Sequence, residues 1–164
     1  MLTADRIRYL LDRLNVELAQ ENVRGEIFLA GGAVMCLVFH AREATKDVDA
    51  LLVPAGLIRE ARQQSGSTGR SSGRLASQAG RFDVYAELSH LRIFAPHPEY
   101  LLAMKCLAMR LGEELQDRSD VAFLLKILKI ERLEDAEEVL QRYYPLERYP
   151  AKARYVLEEL TADV

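Results

Sequence analysis

Residues 27–53 constrain the fold most, because a strand, a glycine turn, a short apolar helix and a second strand follow one another there. Gly31 and Gly32 form the turn, and Asp47 and Asp49 open the second strand. Because side chains alternate across a strand, the two aspartates are predicted to share one face. After Asp49 the strand continues as Ala-Leu-Leu-Val, a run that predicts burial on both faces.

The turn and the aspartate pair together indicate phosphate and metal chemistry. Two adjacent carboxylates repel each other, and a divalent cation with a preference for oxygen ligands, Mg²⁺ or Mn²⁺, removes that repulsion. The helix that begins at the Gly-Gly turn offers free N–H groups and a positive dipole end to phosphate oxygens. The alternative for Asp47 and Asp49 is a capping or turn pair after Thr45 and Lys46.

A third carboxylate is predicted at Asp83, in the strand pattern Phe-Asp-Val. Polymerase-type transfer uses two metal ions, and three carboxylates are the usual scaffold for such a pair. Asp83 is also compatible with a solvent-facing strand position. Glu87, four residues further along the same strand face, is the substitute candidate.

Lys105 lies in an apolar helical run, residues 101–111, where an unpaired ammonium group cannot be buried. It must reach water, pair with a carboxylate or bind a phosphate. Asp117 and Asp120 follow at a predicted helix start, either as capping residues or with Asp120 orienting Lys105. Arg110 is a second cation of this segment, and an ion pair with one of those aspartates is its alternative role.

The Gly31-Gly32 turn, followed by the run from Arg42 through Thr45 and Lys46 to Asp47-Val48-Asp49, resembles the polymerase-beta-like nucleotidyltransferase signature. Within that superfamily the chain is similar to small bacterial proteins grouped with the AbiEii and MenT toxin nucleotidyltransferases. Lys105, Arg110 and the aspartates at 117 and 120 also look like the AbiEii-type pattern.

The resemblance implies an α/β fold with a small mixed β-sheet flanked by helices, in a nucleotidyltransferase core over residues 1–96. A helical subdomain, residues 97–164, would pack on that core. The implied activity is metal-dependent transfer of a nucleoside monophosphate from a nucleoside triphosphate to an RNA or protein hydroxyl. The 3′ end of tRNA is one such acceptor, Mg²⁺ or Mn²⁺ is the implied cofactor, and an antitoxin protein is the implied partner of a toxin.

The resemblance also assigns residues to roles. The implied metal ligands are Asp47, Asp49 and Asp83, which together with Lys105 form the implied catalytic set. The implied nucleotide-binding residues are Gly31, Gly32, Thr45, Lys105 and Arg110. A second interpretation is a nucleotidyltransferase fold that no longer catalyses and acts as a binding module, which the Ser/Gly-rich segment 65–80 favours.

Hydrophobic periodicity predicts the remaining elements. An amphipathic helix is expected over residues 3–21, with Thr3 as its N-cap, and a further helix over 55–64. Residues 65–80 are predicted to form a loop, either mobile or contacting phosphate or RNA. Two strands should follow, and then helices over 98–113, 118–130, 133–144 and 150–161.

Composition excludes several classes of protein. The chain has 164 residues with 49% hydrophobic and 29% charged residues, enough for an ordinary core, and its net charge of −3 is not that of a protein that coats nucleic acid. No signal peptide or membrane-length apolar run is visible, so a soluble cytoplasmic protein without membrane association is expected. Cys36 and Cys106 are predicted to be buried free thiols.

Overall fold

A computed structural model of the chain describes residues 1–46, 48–54, 81–109 and 114–162. The chain divides into two compact units, Met1–Pro96 and His97–Val164. Asp47, Arg110, the helix predicted over 55–64 and the loop predicted over 65–80 lie outside the described residues.

The first unit contains two helices and six strands in its described parts. In chain order they are β1 (Leu2–Thr3), α1 (Ala4–Gln20), β2 (Gly25–Ala30), α2 (Gly31–Leu37), β3 (Ala44–Thr45), β4 (Asp49–Pro54), β5 (Phe82–Glu87) and β6 (Leu91–Pro96). The predicted strand–turn–helix–strand order is therefore confirmed for the described residues. The short strands β1 and β3 were not predicted, because two residues are too few to show a periodicity.

The main sheet of this unit has the strand order β4-β2-β6-β5. Strand β2 is parallel to β6, whereas the β2–β4 and β5–β6 pairs are antiparallel. A small mixed sheet flanked by helices was predicted, and this fold class is confirmed. Because β2 and β6 are parallel, their carboxyl ends lie at the same end of the sheet, where Ala30 leads directly into α2.

The two faces of the sheet differ in burial. Ile27, Leu29 and Ile93 are buried on one face, which we call the buried face. The other face, called the aromatic face, carries a cluster of half-buried phenylalanines. The ring of Phe28 stacks on that of Phe94 with 4.7 Å between centroids, and meets the edge of Phe82 at 5.2 Å.

Helix α1 begins as predicted. The N–H of Arg6 donates to the Thr3 hydroxyl at 3.3 Å, which satisfies one of the free donors of the first turn. Ile7 and Leu11 are buried at helical spacing, so α1 presents one apolar side to the unit.

Strand β4 is not buried on both faces, contrary to the prediction. It pairs only with β2 among the described strands, and its Leu51 and Leu52 are 48% and 46% exposed. Val53 is buried. An apolar run predicts a strand well, but it does not distinguish a central strand from one at the edge of a sheet.

The second unit is helical, as predicted. It contains α3 (Pro98–Ala108), α4 (Glu114–Leu128), α5 (Leu133–Gln141), a 3₁₀ turn (Leu146–Arg148) and α6 (Ala151–Ala162). Its core includes side chains from all four helices, among them Leu102, Leu124, Leu140 and Leu157. The predicted capping role of Asp117 is wrong, because α4 already begins at Glu114 and Asp117 lies inside its first turns.

Within the described residues, no helix has the length and apolar character needed to span a membrane. Both cysteines are buried and free, as predicted. Burial, together with the nearby Asp117 carboxylate, raises the pKa of the Cys106 thiol to about 12.

We predict that Cys106 makes stability fall at alkaline pH. A cysteine in an unfolded chain has a pKa of about 8.5. The raised pKa in the folded protein therefore favours the native state below pH 8.5, and this contribution is lost as the pH rises toward 12. By pH 10 the loss should reach about 2 kcal/mol. Urea unfolding at pH 8 and pH 10 measures it, with Cys106→Ala as the control. An equal pH dependence in both proteins would contradict the prediction.

Candidate active site at the glycine turn

The turn between β2 and α2 brings Asp49 against Gly31. Gly31 has a φ of +56°, a conformation that glycine adopts without strain and other residues rarely adopt. A Cβ atom added at this position would lie 2.5 Å from Oδ2 of Asp49. The pairing of Ala30 with Asp49 across β2 and β4 sets this approach. The glycine is therefore required both by the backbone conformation and by the neighbouring carboxylate.

The second glycine is just as closely packed. A Cβ atom at Gly32 would overlap the hydroxyl of Thr45 and would lie 3.1 Å from Nη2 of Arg42. Thr45 is 4% exposed and belongs to β3, which pairs with β1 through Leu2. The absence of a side chain at Gly32 thus lets a hydroxyl and a guanidinium group lie against the first turn of α2.

Four residues that sequence analysis assigned to metal or nucleotide binding meet at this turn: Gly31, Gly32, Thr45 and Asp49. Asp49 is exposed, so its carboxylate is accessible to a ligand. A carboxylate and a hydroxyl are hard oxygen donors of the kind that Mg²⁺ and Mn²⁺ prefer. Asp47, two residues before Asp49, belongs to the same predicted set but lies outside the described ranges.

The structure does not bring Asp83 beside Asp49. Asp49 is the first residue of β4 and Asp83 is the second residue of β5, at the same end of the sheet, but β2 and β6 lie between these two strands. Neighbouring strands are about 4.8 Å apart, so the two backbones are separated by about 14 Å. Carboxylates that share a Mg²⁺ ion bind it at about 2.1 Å each. The prediction that Asp83 joins Asp49 as a metal ligand conflicts with this strand order.

Strand pairing also directs the two carboxylates to different faces. Asp49 is paired with Ala30, two residues after Phe28, and so belongs to the aromatic face. Asp83 is paired with Ala95, which belongs to the buried face. Among the residues that the structure describes, no three His, Cys, Asp or Glu side chains lie close enough to hold a metal ion together.

Lys105 lies in the second unit and is paired with two carboxylates. Its ammonium group is 2.6 Å from Asp120 and 3.7 Å from Asp117. The side chains of Lys105 and Asp120 are only 12% and 5% exposed. The prediction that Lys105 pairs with a carboxylate is confirmed, and Asp120 is in position to orient it.

Arg42 is the residue at the turn that sequence reasoning did not assign to a role. It was noted only as the first member of the motif that continues to Asp49. Only the three-dimensional structure shows that Arg42 lies at the turn, because its guanidinium group is beside Gly32, which precedes it by ten positions in the chain.

No protein-family model, no curated protein and no solved structure matches this chain.

We predict that the two glycines tolerate substitution poorly. Gly31→Ala should lower stability by about 1–2 kcal/mol from the left-handed backbone alone, and the approach to Asp49 adds to this cost. Gly32→Ala should displace Thr45 or Arg42. Denaturant unfolding measures both effects.

The matched control is Gly25→Ala in β2, where the added Cβ would meet the flexible ends of two leucine side chains, Leu18 at 3.1 Å and Leu52 at 3.4 Å. If Gly31→Ala and Gly32→Ala are no less stable than Gly25→Ala, the turn is not closely packed around Gly31 and Gly32.

A second prediction concerns the buried ion pair. Lys105→Met should destabilise the protein by about 3 kcal/mol or more, because it removes the ammonium group that pairs with the buried Asp120 carboxylate. The double variant Lys105→Met/Asp120→Leu should lose less free energy of unfolding than the two single variants, Lys105→Met and Asp120→Leu, lose in sum.

Arg118→Met is the control for this ion pair, since Arg118 lies on the same helix as Asp120 and pairs with Glu159 at a more exposed position. Its cost should stay below about 1 kcal/mol. Equal losses of free energy of unfolding in Lys105→Met and Arg118→Met would show that the buried ion pair matters no more to stability than the exposed one.

Proposed function

We propose that this protein is a metal-dependent nucleotidyltransferase that transfers a nucleoside monophosphate from a nucleoside triphosphate to an RNA or protein hydroxyl. The observation that carries the proposal is the contact of Asp49 with the Gly31-Gly32 turn. The Asp49 carboxylate is exposed and lies beside Gly31 at the start of α2. Phosphoryl transfer depends on such positioning of phosphate oxygens next to a metal-binding carboxylate.

In this proposal the first turn of α2 and the Thr45 hydroxyl bind the triphosphate. Asp49 and Asp47 would hold Mg²⁺ or Mn²⁺, and the bound cation would lower the pKa of the attacking hydroxyl and neutralise charge on the phosphates. The absence of a side chain at Gly32 allows phosphate oxygens to approach the backbone closely. Asp83 has no role in this ligand set, because two strands separate it from Asp49.

Lys105 is proposed to stabilise phosphate charge, an assignment that rests on the resemblance to AbiEii-type proteins. Asp120 contributes by fixing the ammonium group in one position. Arg110 is assigned to the nucleotide on the same resemblance. The acceptor, an RNA such as tRNA, and an antitoxin partner are proposed by analogy as well.

A second candidate function is a binding module that retains the nucleotidyltransferase fold without catalysis. The separation of Asp83 from Asp49 favours it, since the described strands supply only one of the three predicted carboxylates at the turn. Such a module would bind a nucleotide or a partner without transferring a phosphoryl group.

Transfer of label separates the two functions. The protein is incubated with Mg²⁺, each labelled nucleoside triphosphate and total RNA, and labelled RNA and labelled protein are both measured. Asp49→Ala should lower transfer by at least about 100-fold, because it removes a ligand of the proposed metal ion and with it the charge that stabilises the reacting phosphates. Asp83→Ala should retain transfer within a few-fold, since Asp83 lies across the sheet.

Wild-type protein that transfers no label to either acceptor would contradict the enzyme and favour the binding module. Equal loss of transfer in Asp83→Ala and Asp49→Ala would contradict the proposed ligand set. The toxin role is tested separately by growth arrest on expression, which Asp49→Ala should relieve.

A further inference from the structure

The aromatic face carries one continuous apolar row that crosses all four strands of the main sheet. Strand register places Leu51 beside Phe28, Phe28 beside Phe94, and Phe94 beside Val84. We call these four residues the aromatic row. Leu51 is 48% exposed and Val84 is 53% exposed, and the two rings between them are half-buried. Adjacent apolar side chains that remain exposed on a sheet face are characteristic of a binding surface.

The two rings of the aromatic row form a stack that a further flat ring can extend. Phe28 and Phe94 lie nearly parallel, with an angle of 7° between their planes and 4.7 Å between their centroids. Phe94 therefore covers one face of the Phe28 ring, and the other face is directed toward β4, where Leu51 is the neighbour. Nucleobases stack on aromatic side chains because every base has a π face. Sheets with aromatic residues on their central strands bind single-stranded bases in this way.

The aromatic row is continuous with the candidate site at the glycine turn. Asp49 and Leu51 are two residues apart on β4, so both side chains belong to the aromatic face. Their Cα atoms are about 7 Å apart along an extended strand. A nucleotide whose base lies on the row therefore has its phosphates at the Asp49 end, with the sugar between them.

The charges around the aromatic row favour an uncharged group over a polyanion. On the side away from Asp49, Arg92 forms an ion pair with Glu87 and lies 3.8 Å from Glu26. Among the described strand residues of this face, three carboxylates therefore accompany one guanidinium group. An RNA strand needs cationic groups along its backbone, whereas a base that stacks on the row needs none.

We infer that the aromatic row binds the nucleobase of the nucleoside triphosphate, which stacks on the Phe28 ring beside Leu51. This inference rests on the proposed nucleotide site at Asp49 and adds the surface that holds the base. Because stacking uses the ring face and no hydrogen bonds, the row contributes affinity for any of the bases and selects little among them.

Calorimetric titration with a non-hydrolysable ATP analogue in the presence of Mg²⁺ tests the inference, with inorganic tripolyphosphate titrated in parallel. Phe28→Leu should weaken binding of the analogue by about 5- to 100-fold, the loss expected for one stacked base. Binding of tripolyphosphate, which has no base, should stay unchanged. Leu51→Gln should produce a smaller loss with the same selectivity, because it replaces an apolar contact of the base.

Leu52→Gln is the matched control, since Leu52 follows Leu51 on the same strand, is 46% exposed and belongs to the other face. Urea unfolding establishes that each variant is folded, and Leu51→Gln, at a half-exposed position, carries the test alone if Phe28→Leu does not fold. The inference is wrong if the row variants bind the analogue as tightly as Leu52→Gln does, or if wild-type protein does not bind it. A wild-type dimer that Leu51→Gln dissociates, with unchanged binding of the analogue, would assign the row to a second copy of the chain.

The result is separable from the test of the proposed function. Binding of the analogue that depends on Phe28 and Leu51, without any transfer of label by wild-type protein, would support the base site and contradict the enzyme. Transfer of label with an unchanged KM for the triphosphate in Phe28→Leu and Leu51→Gln would support the enzyme and contradict the base site.

Discussion

The close approach of β3 and β4 to the start of α2 is the constraint on which the candidate site depends. Asp49 can lie against the turn only because position 31 has no side chain and adopts a left-handed backbone conformation. Thr45 can lie there only because position 32 has no side chain either. The site is therefore built on paired strands and a helix, which hold functional groups more accurately than a free loop does.

In the second unit, the ion pair of Lys105 and Asp120 holds the ammonium group in position more than it adds to stability. A buried ion pair gains little net free energy, because desolvation of both charges offsets their attraction. Loss of one partner is nevertheless costly, since the other charge stays buried. The pair thus fixes one geometry for the ammonium group within its own unit. A fixed cation suits the proposed phosphate-binding role, because its ordering cost is met during folding.

The sequence predicted the order of elements, and the proximity of some residues of the candidate site, for identifiable physical reasons. Helical periodicity and the Thr3 cap located α1, and the Gly-Gly turn between two apolar runs located β2, α2 and β4. Strand order was not predictable, because Asp83 follows Asp49 in the chain while two other strands separate them in the sheet. The edge position of β4 and the place of Arg42 beside Gly32 likewise depend on tertiary packing. No local pattern contains that information.

We propose that the glycine turn and Asp49 form a site for a divalent cation and a nucleotide. Electron paramagnetic resonance of Mn²⁺, titrated with a non-hydrolysable nucleoside triphosphate present, measures this directly. We predict that wild-type protein and Asp83→Asn bind Mn²⁺ together with the nucleotide, and that Asp49→Asn loses this binding. Equal Mn²⁺ binding by wild-type protein and Asp49→Asn, or none by wild-type protein, would contradict it.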